Sequence, residues 1–509
     1  MNTQTTTKKL MQYLPGIVLL LMICMAIAPS LSFGQDSAGG ATGTINDVAA
    51  ATPGKPTLEE IGATAGHNKI SINMTWTLIC GFLVMFMQAG FAMVETGFTQ
   101  KKNVAHTMGM NFLVYALGMF GFWVCGFAIM FGGGLNVAAL GGAAGVESHE
   151  YVISLFGHDF GIAGTVGFFL NSKVYDVTVF SLFLFQMVFM DTTATIPTGS
   201  MAERWSMKSF ILFALFISMF VYPLYGNWVW GGGWLAMLGG NFGLGHGMVD
   251  FAGSSVVHLV GGVAALAGAI VIGPRIGKYN ADGTVNTIPG HNIPMAIVGT
   301  FILAFGWFGF NAGSTLAGTD LHISVIAVNT MMAGTAGCLS ALLYMMVRGE
   351  KPDPGMLANG LLAGLVAITA PCAFVNSISS VIIGGIAGLL VIVVYNFLDR
   401  KLKIDDPVGA FAVHGANGAW GCIALGLFAD GTYGDGWNGV KGNVTGLFYG
   451  DASQLYAQLI GVAVCFIFVF IVMYTFFKIS NKITPIRVPA ADEIAGLDIP
   501  EMGVKGYLD

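Results

Sequence analysis

Eleven apolar runs, each roughly twenty residues long, divide this chain at near-regular intervals. They lie at about 72–94, 107–131, 177–200, 209–230, 251–273, 292–312, 322–347, 355–371, 377–398, 407–428 and 453–477. As helices, runs of that length match the ~30 Å hydrocarbon core of a bilayer. Lipid offers no hydrogen bonds to an open backbone, so the runs predict an all-α membrane protein. Charge agrees: only 9% of residues are charged, against about 25% in a soluble domain. A net charge of −6 with no basic patch gives nothing for a nucleic acid to bind.

The first residues read as a secretory signal peptide over 1–32. Lys8 and Lys9 form a basic start, an apolar stretch follows from Ile17 to Ala28, and Ser30 and Ser32 are small residues at a plausible cleavage spacing. Residues 33–70, rich in Ala, Thr and Gly, read as a flexible periplasmic segment. The transmembrane domain is expected over 71–479 and a cytoplasmic C-terminal tail over 480–509. The seven cysteines form no CxxC pair and read as packing residues.

Basic residues orient the bundle, because Lys and Arg collect in cytoplasmic loops. None of the 21 falls inside the eleven runs. Fifteen lie in alternate loops and the tail, among them Lys101, Arg204, Arg275, Arg348, Arg400 and Arg487, and four lie on the opposite side, at Lys55, Lys69, Lys173 and Lys441. The mature N-terminus is thus expected outside and the C-terminus in the cytoplasm of a bacterial-type inner membrane.

An internal repeat points to a site. The fifth run opens Asp250-Phe-Ala-Gly-Ser-Ser-Val-Val-His258, and the tenth opens Asp406-Pro-Val-Gly-Ala-Phe-Ala-Val-His414. Each has Gly three, Val seven and His eight residues after Asp. Runs five apart cross in opposite directions, which predicts two inverted five-helix halves plus a final helix, with the substrate path between the halves. With each Asp as an N-cap and Pro407 at the first helical position, both imidazoles would sit about 12 Å inside. Of nine His, only these two are expected deep in a span. An ionised group there costs on the order of 2.5 kcal/mol or more, so the rings are expected neutral and functional. A buried structural hydrogen bond and a haem or metal site are the alternatives on spacing alone.

The chain resembles the ammonium transporter family (Amt/Mep/Rh) from about residue 72 to 509. The resemblance is carried by Phe86-Met-Gln-Ala-Gly-Phe-Ala-Met-Val-Glu95, Lys102-Asn-Val104, Met201-Ala-Glu-Arg204, Val229-Trp-Gly-Gly-Gly233, Asp250-Phe-Ala-Gly253, Trp307-Phe-Gly-Phe-Asn-Ala-Gly-Ser314, Asp405-Asp-Pro407 and Val413-His-Gly415. It implies a homotrimer with one pore per subunit and no cofactor. It implies recruitment of NH4+ by Trp230, Ser314 and Phe185, with Asp250 ordering that vestibule. It implies a gate of Phe189 and Phe310, and a twin-His pore of His258 and His414. A cation over an indole face gains roughly 0.5–2 kcal/mol, which suits Trp230. On position alone Trp230 also fits an interfacial anchor, the two Phe ordinary core, and Asp250 a plain helix cap.

The tail from Arg487 to Tyr507 and the loop 274–291 resemble the surfaces on which relatives dock a PII-type signal protein. Two features depart from the pattern. Asp191 is an acid inside the third run, read as a structural hydrogen-bond partner or an added acid near the pore. Gly409 stands where some relatives carry a third acid. The expected function is ammonium transport. A non-conducting ammonium sensor of the same fold and a membrane enzyme using the His pair are the alternatives.

Overall fold

The computed structural model describes residues 45–132, 149–171 and 176–507. The expected signal peptide, with Lys8 and Lys9, lies outside the described residues, as does Lys173. The chain divides into two units, residues 1–69 and 70–509.

In the first unit a 3-10 turn, Ile45–Asp47, precedes the first turn of a long helix. Residues 58–70 of the stretch expected to be flexible are therefore helical, because helix α1 spans Leu58–Phe98, and residues 33–44 of it lie outside the described residues. A capping box explains the start. The Thr57 hydroxyl accepts from the Glu60 amide at 3.2 Å, and the Glu60 carboxylate accepts from the Thr57 amide at 2.7 Å. The Thr-x-x-Glu signature was in the sequence, hidden by the small polar residues around it.

The second unit carries the rest of the bundle. Its further spans are α2 (Lys101–Phe131), α3 (Val177–Met201), α4 (Met207–Trp230), α5 (Ser254–Ile272), α6 (Ile293–Thr315) and α7 (Ile323–Val347). They continue with α8 (Pro354–Ile368), α9 (Ser377–Leu402), α10 (Phe411–Phe428) and α11 (Ala452–Ile483). Among the described residues ten helices are long and apolar enough to cross a membrane, and α8 is the shorter eleventh. One hairpin joins this helical set. Strands β1 (Glu150–Leu155) and β2 (His158–Gly164) pair antiparallel in the loop after α2. Phe156 (φ 53°) and Gly157 (φ 77°) form its two-residue turn.

Helix α8 was expected over 355–371 but ends at Ile368, about 22 Å after its Asp353 cap. The chain then runs irregularly through the interior. The Thr369 and Ala370 carbonyls accept from the Ala252 and Phe251 amides at 3.2 Å each. Asn329 Nδ2 donates to the Cys372 and Val375 carbonyls at 3.0 and 2.6 Å. Non-helical backbone is tolerated at such a place because it is buried in protein, which supplies these partners.

Helices α5 and α10 cross in opposite directions. A Cβ on Gly262 would stand 2.2 Å from the Gly415 amide, and one on Gly418 would stand 2.4 Å from the Ser254 carbonyl. Rising residue numbers on one helix thus meet falling numbers on the other. This is the inverted arrangement of halves that the repeat predicts. Bare backbones touch at the crossing, so Gly262→Ala is expected to lower stability by about 1–3 kcal/mol. Thermal unfolding in detergent measures it, and an unchanged midpoint would refute the close contact.

The end of the bundle that carries Arg204 is stapled by buried charge. Arg275 donates to both Asp405 oxygens at 2.8 and 2.9 Å and to Glu203 at 2.9 Å. Arg204 donates to the Gly273, Ala202, Ser200 and Asp405 carbonyls. Burial pushes the Asp405 carboxyl up, but Arg204 and Arg275 outweigh it and hold the group well below the usual carboxylate range. The Met201-to-Arg204 motif and the first Asp of Asp405-Asp-Pro407 are therefore structural. They tie the end of α5 to the start of α10.

Candidate functional site: a vestibule, a ring stack and a histidine pair

Both His-bearing helices begin in the same unusual way. The Asp250 Oδ1 accepts from the Gly253 and Ser254 amides, and Oδ2 accepts from the Ser255 and Val256 amides and the Ser255 hydroxyl, all at 2.7–3.0 Å. Asp406 accepts from Gly409 and Phe411 in the same manner at 3.1 and 2.9 Å. Gly253 (φ 115°) and Gly409 (φ 77°) occupy backbone that L side chains avoid. The Asp-x-x-Gly spacing of the repeat is therefore a folded loop. Gly409, a departure when judged as a missing acid, is required by its conformation.

This corrects the expected geometry. The helices start at Ser254 and Phe411, so Pro407 precedes its helix and does not sit at the first helical position. Each His lies within the first turns of its helix, and the 12 Å of helical rise does not exist. The capped loops carry the helix starts into the interior instead. Each start is a π-helical segment, Ser254–Leu259 and Phe411–Ala416, a form that recurs at functional sites.

The four expected recruitment and gate residues nearest the surface come together. A cavity of about 230 Å³ is lined by Phe185, Phe189, Trp230 and Ser314, with Gln186, Phe251 and Trp437 among its other walls. Asp250 is not part of the lining. It lies fully buried behind it, and its backbone carbonyl accepts from Trp230 Nε1 at 2.6 Å. Asp250 therefore aims the indole without meeting the cavity. The hairpin props the same corner, where the Gly161 and Ile162 carbonyls accept from the Trp234 amide and Trp228 Nε1 at 3.0 Å each.

Two spare acceptors line the vestibule. The Ser314 hydroxyl donates its proton to the Phe310 carbonyl at 2.7 Å, which leaves its oxygen free to accept. Gln186 Oε1 is buried with no partner among the described residues. Gln186 went unnoticed in the sequence. Its signal was a single amide, next to Phe185, in an apolar stretch of α3. A cavity with aromatic faces and spare acceptors suits a small N–H donor bearing positive charge.

The vestibule ends on stacked rings. Phe189 and Phe310 lie 4.0 Å apart, 18° from parallel, both essentially fully buried. That spacing is van der Waals contact, so passage requires a ring to swing. Behind Phe310 the His258 ring follows at 5.5 Å, with Trp307 beside it at 5.3 Å. His258 and His414 then stack at 5.2 Å, with Nδ1 facing Nδ1 at 3.1 Å. One of those nitrogens carries the shared proton and the other accepts it. A tetrahedral metal with bonds of about 2.0–2.1 Å would hold them about 3.3–3.4 Å apart and would need further ligands, and among the described residues no group of three or more His, Cys, Asp or Glu could hold one. His258 Nε2 is buried without a partner among the described residues.

Beyond His414 lies a cavity of about 20 Å³, walled mostly by aliphatic side chains but also by Glu95 and Asn359. That is room for a single water-sized molecule. Glu95 was noticed only as the end of a motif. Two other buried groups bear on the expectations. His106 is also fully buried, but it lies one turn into α2, where its amide donates to Asp498 of the tail, and not deep in the span. Asp191 lines neither cavity, against its reading as an added acid near the pore, and its Oδ1 has no hydrogen-bond partner among the described residues.

Residues 75–507 match the model of the Ammonium Transporter Family. The chain belongs to that family. It is 46% identical over 460 residues to the ammonium transporter Amt2 of Archaeoglobus fulgidus, covering 89% of this chain and 91% of that one. It is 35% identical to the ammonium transporter of Bacillus subtilis, over 84% of this chain and 97% of that one. Among solved structures it superposes on a protein described as a sensor Amt protein with a TM-score of 0.74, at 37% identity, over 86% of this chain and 99% of that one. Mep2 of Candida albicans gives a TM-score of 0.69 at 25% identity, over 86% and 93%.

Proposed function

We propose that this protein recruits NH4+ in the vestibule of Trp230, Ser314 and Phe185 and passes ammonia, with its proton or apart from it, between Phe189 and Phe310 and on past His258 and His414. The observation that carries the reading is the unbroken sequence of cavity, ring stack and facing imidazoles through the centre of the bundle. Ammonium and potassium have similar size and charge. A site that strips water and offers acceptors favours the ion that can donate hydrogen bonds or give up a proton. An ion that stays charged pays on the order of 2.5 kcal/mol or more at the apolar centre. Ammonia does not.

The second reading, a non-conducting ammonium sensor, is favoured by one observation, the likeness to the sensor Amt protein. The relatives named as transporters and the complete set of path residues favour conduction. An ammonium pulse to proteoliposomes separates the two. An inward current is expected with ammonium, a smaller one with methylammonium and none with potassium. A protein that binds ammonium yet gives neither a current nor a pH change inside the vesicle beyond that of protein-free vesicles would support the sensor reading instead.

The finer placement is part of the same proposal. With 15 of its basic residues at or beyond the Arg204 end, that end faces the cytoplasm and the vestibule faces out. A secretory signal over 1–32 and an inner-membrane site agree with this. The family implies a homotrimer, and exposed apolar side chains such as Phe82, Phe86, Phe301 and Phe305 suit lipid or a neighbouring subunit. The tail is docked on the cytoplasmic loops. Arg487 pairs with Glu493 at 2.8 Å, Glu493 accepts from the Ile276 amide at 2.7 Å, and Asp498 accepts from the His106 amide at 3.0 Å. A PII-type signal protein pressing on 274–291 would therefore meet the tail as well.

A further inference from the structure

We propose that Glu95 is the proton-exchange group on the far side of the histidine pair, re-protonating ammonia as it leaves His414. The inference rests on the transport reading above. Glu95 is 3% exposed and shares the 20 Å³ cavity with His414. No other acid lines that cavity. An acid buried in a span is costly, and one that also borders the path is a default candidate for function.

Its hydrogen bonds allow it to hold a proton or release one. Asn111 Nδ2 donates to Oε2 at 2.7 Å. The Thr198 hydroxyl has one proton and two acceptors in reach, Glu95 Oε2 at 2.6 Å and the Thr195 carbonyl at 2.5 Å. When Glu95 is a carboxylate, Thr198 donates to it. When Glu95 is protonated, Thr198 turns to the carbonyl, and no buried group is left unpaired.

The step balances. The proton lost by ammonium on the vestibule side reaches Glu95 through the imidazole pair and a water in the small cavity. Ammonia arriving past His414 then takes it: an N–H bond forms, the O–H bond of Glu95 breaks, and ammonium leaves a carboxylate ready for the next proton. The groups facing Glu95 are His414, Asp406 at the head of α10, and the neutral Asn111, Thr198 and Asn359. Lys and Arg are absent from this set, so no fixed cation locks the carboxylate.

The test compares wild type, Glu95→Gln and Glu95→Asp in proteoliposomes, reading ammonium-evoked current against the pH inside the vesicle. Glu95→Gln keeps the shape and should cut the current at least about tenfold and flatten its pH dependence. Glu95→Asp keeps the acid and should recover part of the current with a displaced pH profile. A Gln variant with wild-type current and wild-type pH profile would overturn the proposal while leaving transport intact. Should Glu95→Gln fail to assemble, the Asp variant decides alone, and an unchanged profile counts against Glu95. A wild type with ammonia flux but no current would overturn this step alone, and one with neither current nor ammonia-driven pH change would sink the transport reading as well.

Discussion

A protein carrying His258→Asp together with His414→Glu is expected to lose its ammonium-selective current. The pair lies where Nδ1 meets Nδ1 at 3.1 Å between two stacked rings, roofed by Phe310 and Trp307. Neutral imidazoles offer a lone pair and a shared proton without fixed charge. Two carboxyls in the same space either ionise against each other or lock together through one proton. Ammonia then meets a charged or blocked station. A charge at such depth costs about 2.5–3.5 kcal/mol, which is roughly a 100-fold change in rate at 1.4 kcal/mol per decade. The measurement is the ammonium pulse with potassium as the control. Full current that still rejects potassium would contradict a role for the imidazoles.

The second large effect is structural. Asp250→Ala is expected to prevent recovery of folded protein, or to lower its unfolding midpoint in detergent by about 10 °C or more. One carboxylate satisfies four backbone N–H groups and one hydroxyl, all buried. Each orphaned buried donor costs about 1–3 kcal/mol, so the sum rivals the 5–15 kcal/mol that holds a typical domain together. The loss would also release the Trp230 indole, which hangs from the Asp250 carbonyl. Asp250→Asn keeps one accepting oxygen and should fall between the two. A wild-type midpoint for the Ala variant would mean that solvent or backbone replaces the cap, against its full burial.

Hydropathy was enough to find the spans, because lipid permits few backbone solutions and each leaves a long apolar run. The 11 runs correspond to ten long helices and the shorter Pro354–Ile368. Their ends were less legible. Leu58 begins a helix inside what composition suggests is linker, since a Thr57–Glu60 box outweighs small polar neighbours. Ile368 ends one early, since the Asp250 loop competes for the next carbonyls.

The sequence alone determined that Asp, Gly and His recur at fixed spacing in oppositely directed spans, and so that two imidazoles belong to one site. It could not say how they arrive. Only the tertiary structure decided that left-handed glycines and capped loops carry the helix starts inward, and that Gly262 lets α5 and α10 touch. The cavities were invisible for the same reason. Gln186 and Glu95 are one polar side chain each in an apolar stretch, and a string of residues does not record which face of a helix meets a void. Spacing along one chain is fixed by covalent geometry, whereas a pore is a space between helices, and its walls exist only once they have packed.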